Sequence, residues 1–109
     1  MARRLTTKQE DNLLKEAYEN FPEASMCLRC LTFNYKRFIF EFQEDDGEVH
    51  IVTLPKARKG LRLFIEAVDS GKLPGLALPA DYLTSTGLWD AWAFDALNQM
   101  AIYGEVIFG

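Results

Sequence analysis

Cys27 and Cys30 stand three residues apart in Met26-Cys27-Leu28-Arg29-Cys30, a spacing at which paired thiols exchange disulfides or supply half of a metal site. Exchange needs the first thiol at a helix N-terminus, where the dipole and nearby positive charge lower its pKa. The residues around this pair alternate as a strand does, and on a strand an odd separation sends the two sulfurs to opposite faces. A zinc site would need further ligands, and besides carboxylates the chain offers one histidine, His50. The pair therefore reads as packing, with Met26, Leu28 and Cys30 on one face and Cys27 on the other. A thiol redox or metal role is the alternative.

His50 is accompanied by no G-x-S-x-G or H-E-x-x-H pattern that would give it a nucleophile or a metal to serve. It reads as a solvated strand histidine beside Glu41 and Gln43. No catalytic residue, cofactor or metal is expected, and the chain reads as a non-enzyme.

Two charge clusters carry more information. Lys56, Arg58, Lys59 and Arg62 crowd the start of a helix, the end at which the macrodipole disfavours cations. With free backbone amides there, they are candidates to bind phosphate, a nucleic-acid backbone or an acidic surface. The competing reading is compensation by acids of the neighbouring hairpin, or solvation. Glu44, Asp45 and Asp46, with Glu41 and Glu48 beside them, form an acidic hairpin tip, either a solubilising turn or a contact for a basic groove.

The elements that position these groups follow from periodicity. Thr7 and Glu10 form a capping box for a helix whose stripe is Leu13, Leu14, Ala17, Tyr18 and Phe21, with Glu10, Asp11, Lys15, Glu16 and Glu19 outside and Pro22 ending it. A strand from about Ser25 to Phe33 turns at Asn34-Tyr35-Lys36 into a hairpin of alternating residues closed by Asp46-Gly47. A two-residue turn there places Phe42 opposite Ile51 and Gln43 opposite His50, so Phe40, Phe42 and Ile51 share the core face. A second helix runs from Pro55 or Lys56 to Gly71 on Leu61, Phe64, Ile65 and Val68. A Pro/Gly connector follows, with one helical turn near Pro79 to Leu83.

The last helix is capped by Thr84, Ser85 or Thr86 and closed by Gly104, after which Glu105 to Gly109 can add a short edge strand. Asp95, Asn98 and Gln99 define its polar side, while Trp89, Trp92, Ala93, Ala96, Met100 and Tyr103 face the core. Leu88, Phe94 and Ile102 fall on or beside the polar arc. A helix apolar nearly all round is either sandwiched within its own domain or covered by a partner or second copy.

The chain has 109 residues, 49% hydrophobic and 26% charged, enough for one core and too short for two. It reads as a single α+β domain spanning 1–109. The net charge of −4 is uneven: residues 1–63 carry 11 Lys/Arg against 10 Asp/Glu, and residues 64–109 carry 1 against 6. That balance disfavours nucleic-acid binding over the whole surface and leaves it secondary. No signal peptide or membrane span is read, so a cytoplasmic protein without membrane contact is expected.

The expected fold is an N-terminal helix, a three-stranded antiparallel meander and two to three C-terminal helices on one face of the sheet. In that order of elements it resembles small acidic phage-encoded anti-CRISPR proteins, a likeness of topology alone. It implies a protein-binding module or inhibitor acting on a host macromolecule such as a defence nuclease complex. Its expected contacts are Leu88, Phe94, Ile102 and the Glu44-Asp45-Asp46 tip.

Overall fold

The computed structural model describes residues 5–20, 28–73, 75–76 and 78–107. Helix α1, Thr7–Asn20, is capped one residue earlier than expected. Thr6 and Gln9 form the reciprocal box: Gln9 N donates to Thr6 Oγ1 at 3.1 Å, and Thr6 N donates to Gln9 Oε1 at 2.8 Å. This leaves Glu10 free of capping duty. Leu13, Leu14, Ala17 and Tyr18 form the buried stripe, as their spacing predicts. Phe21, Pro22 and Ser25 to Cys27 lie outside the described residues, and with them half of the thiol pair.

Strands β1 (Leu28–Asn34), β2 (Ile39–Glu44) and β3 (Val49–Thr53) form an antiparallel sheet in the order β1-β2-β3. The β2–β3 register differs by one residue from the expected one. Phe40 pairs with Val52, Phe42 with His50 and Glu41 with Ile51. The cause is the turn. Glu44 N donates to Glu48 O at 2.8 Å and Gly47 N to Glu44 O at 2.9 Å, so the loop holds three residues with only Gly47 at positive φ, +95°. That is a type I turn with a following glycine bulge; a two-residue type I′ turn would need Asp46 at positive φ as well. Val52 rather than Ile51 therefore joins Phe40 and Phe42 in the core, and Ile51 is left 50% exposed.

A bulge between Cys30 and Thr32 sets Leu31 and Thr32 together opposite Glu41. The β1–β2 turn holds Phe38 at φ +52°, an uncommon backbone state for a bulky residue. Its ring is buried edge-on against Tyr18 and Phe40, which offsets the strain.

Helix α2, Leu54–Asp69, has proline in its first turn and is followed by Gly71 at φ +70°. Two 3-10 turns, Tyr82–Thr84 and Thr86–Leu88, occupy the residues expected to cap the last helix. Helix α3, Ala91–Tyr103, starts later, with Asp90 Oδ1 accepting from Ala93 N at 2.8 Å, and it ends at Gly104, φ +77°. Residues 105–107 form no strand; Ile107 N instead donates to Gln99 Oε1 at 2.9 Å.

α3 is the central element. Every residue from Ala93 to Ala101 is buried, between α2, β3 and the Tyr18 ring of α1. α2 approaches closely because Gly60 has no side chain: a Cβ there would lie 2.5 Å from the Ala101 backbone. Among the described residues, no helix is long and apolar enough to cross a membrane.

Candidate functional site

Among the described residues, the side chains singled out by type land in definite environments. The cations of α2 are largely taken up within the fold. Arg58 donates through Nε and Nη2 to Asp11 at 2.7 and 2.8 Å, and Arg62 likewise to Glu10 at 2.8 and 2.9 Å. These two-point pairs join α2 to α1, and the compensating acids are those of α1 rather than the hairpin. The Arg58 guanidinium holds the Asp11 carboxyl below its usual range. Lys56 Nζ donates to Ile51 O at 3.2 Å, beside the outer edge of β3. Lys59 stays exposed. The basic cluster is thus chiefly an interhelix clamp, and an anion site built on it would have to break two such pairs.

α3 also departs from expectation. Phe94 is fully buried and packs edge-on against Tyr18, so it is not a surface contact. Ile102 is half-buried against the core, and Leu88 is exposed on a 3-10 turn. The side expected to be polar and solvated is inside: Asp95, Asn98 and Gln99 are all buried. Several of their polar atoms are met within the fold, while Asn98 Nδ2 is buried without a hydrogen-bond partner among the described residues. Tyr18 OH donates to Asn98 Oδ1 at 2.7 Å, Gln99 Nε2 donates to Asp95 Oδ2 at 3.0 Å, and Ile107 N reaches Gln99 Oε1. Of the two arrangements open to a helix apolar nearly all round, α3 adopts the first, sandwiched within its own domain.

The acidic tip divides in two. Asp45 and Asp46 are exposed, whereas Glu44 and His50 turn inward. His50 stands on the Phe42 face of the sheet, against the expectation that it lies on the far face. Its Nε2 meets Glu44 Oε2 at 2.5 Å, and its ring stands edge-on to Tyr103, 5.2 Å between centroids. Burial, then the charges of Glu44, Glu48 and Asp46, hold the Tyr103 phenol well above its ordinary value. Cys30 is half-buried on the inner face, with Sγ 3.7 Å from Thr32 O.

The surface that composition alone did not single out is the outer face of the sheet. Leu31, Val49 and Ile51 are 39%, 46% and 50% exposed on it, interleaved with Arg29, Thr32, Glu41, Gln43 and Thr53. The signal was present as alternation, but a one-residue shift in register assigned Ile51 to the core. Elsewhere, a shallow groove of about 550 Å³ is lined by Leu5, Gln9, Asn12, Leu13, Glu16, Leu83 and Thr84. Its one carboxylate is already committed, since Glu16 Oε1 accepts from Thr86 N, Thr86 Oγ1 and Ser85 Oγ at 2.8, 2.6 and 3.0 Å.

No protein-family model, curated protein or solved structure matches this chain.

Proposed function

We propose that the protein is a non-enzymatic protein-binding module that holds its partner against the outer face of its sheet. The observation that carries this reading is the exposure of Leu31, Val49 and Ile51 on one sheet face, opposite the face that holds the core. Apolar side chains separated by polar ones, with an uncovered centre, match the make-up of a non-obligate interface. Asp45, Asp46 and Glu48 flank it at the turn, so the complementary surface is an apolar patch with a basic rim. Basic rims are common on proteins that handle nucleic acid. Inhibition of such a complex, the role that the architectural resemblance implies, is the specific form of this reading.

The double variant Val49→Lys/Ile51→Lys tests it. Both positions are exposed, so the fold should persist, checked by circular dichroism and thermal melting. Quantitative affinity capture from the native cell should then lose the proteins held by the unaltered chain. Identical capture by a folded double variant would refute the reading.

A further inference from the structure

Glu44, Glu48 and His50 each bring a ligand-type atom to one place, with the imidazole nitrogen and the two carboxylate oxygens all within 4.8 Å of one another. The imidazole sets this group apart from a solvated acidic tip. A nitrogen donor between two carboxylates suits a first-row divalent cation, where oxygen donors alone would suit calcium or magnesium. The hairpin brings the three together through its turn. Glu44 ends β2, His50 belongs to β3, and Glu48 N is fixed by Asp46 Oδ1 at 2.9 Å while its carbonyl accepts from Glu44 N. Glu44 and His50 are also shielded, with side chains 13% and 15% exposed.

Charge points the same way. Glu44, Asp45, Asp46 and Glu48 converge here, and among the described residues no lysine or arginine forms an ion pair with any of them. The clamps elsewhere in the fold give Asp11 and Glu10 an arginine each. Here the basic group in contact with the cluster is the His50 imidazole, against Glu44. A bound cation would relieve the mutual repulsion of Glu44 and Glu48.

We propose that the β2–β3 hairpin binds one zinc-type divalent cation through His50 Nε2 and the carboxylates of Glu44 and Glu48, with water completing the coordination. The site is open on the Glu48 side, which is exposed, so exchange with solvent needs no opening of the fold. It shares Glu48 with the acidic rim of the proposed binding face, but Glu44 and His50 turn inward, so loss of zinc in the His50 variant and loss of the partner in the Val49/Ile51 variant are read separately.

The test uses tag-free, chelator-stripped protein titrated with zinc chloride by calorimetry, with the imidazole followed by nuclear magnetic resonance. One zinc per chain should bind, with a shift of the His50 ring signals on saturation. Glu48→Gln alters an exposed position, so it should keep the fold and weaken binding at least about tenfold, the scale on which even outer-shell partners act. His50→Ala should abolish the site. Absence of binding at millimolar zinc would overturn the proposal, as would equal affinity in the folded Glu48→Gln variant or unmoved His50 ring signals.

Discussion

Glu16 shows how much a single buried-edge carboxylate can organise. Its hydrogen bonds to the Thr86 hydroxyl, the Thr86 amide and the Ser85 hydroxyl hold its pKa below the ordinary 4.5, against the opposing effect of burial. Asp11 is held below its ordinary 3.8, first by its hydrogen bond to Arg58. A carboxylate depressed in the folded state contributes stability that is present above the unfolded value and lost as pH falls through the folded one. Thermal midpoints should therefore hold steady toward neutral pH and fall below about pH 4.5, and Glu16→Gln should flatten that acid limb while lowering the neutral midpoint. Tyr18 makes a second case. Tyr18→Phe strips Asn98 Oδ1 of its donor in a buried site and should cost about 1–3 kcal/mol in urea denaturation. Neither partnership was legible beforehand, because Glu16 lies 70 residues from Thr86 and Tyr18 lies 80 from Asn98. The charge imbalance of α2 was legible as an anomaly. Its resolution was not, since Asp11 and Arg58 are 47 residues apart.

Among the elements, local signals located α1, the three strands, α2 and the glycine ends of α2 and α3, because caps and periodicity are short-range properties. They missed the start of α3, where a run of Thr and Ser offered several caps and the fold spends Ser85 and Thr86 on Glu16 instead. They also misjudged its polar side, since Asp95, Asn98 and Gln99 look solvated until tertiary partners are supplied. The α2–α3 crossing gave no sign in periodicity either, yet it is a close fit, with the Ala101 backbone 2.5 Å from where a Cβ of residue 60 would stand. Gly60→Ala would drive a methyl into the Ala101 backbone, which cannot swing aside as a side-chain tip can. Overpacking costs about 1–3 kcal/mol, and the better helix preference of alanine returns up to about 1 kcal/mol. A net loss of about 1–2 kcal/mol is expected, read from the urea midpoint at unchanged slope.

The assembled domain has its most enclosed helix at the centre and its least enclosed surface on the sheet. Amides of α3 should consequently exchange with deuterium only through global unfolding, while those of β1, on an outer edge, exchange through local opening. Hydrogen exchange resolved by residue checks this, and fast exchange within 94–101 would contradict the buried arrangement. The fold class was readable because a helix, a meander and further helices leave few ways to bury their stripes. The binding face was not, because it depends on register, which the pair Asp46-Gly47 leaves open between two loops.

That choice of loop reaches further than a few hydrogen bonds. Closing the hairpin on Glu44 and Glu48 turns His50 toward the carboxylate side and Ile51 outward, whereas closing it on the neighbouring pair would exchange the two. The positive φ that Gly47 takes and Asp46 avoids acts as a selector between two surfaces encoded in the same residues. A drifting population could trade the polar cluster for a smoother core by altering this turn alone, without changing a residue that touches a partner.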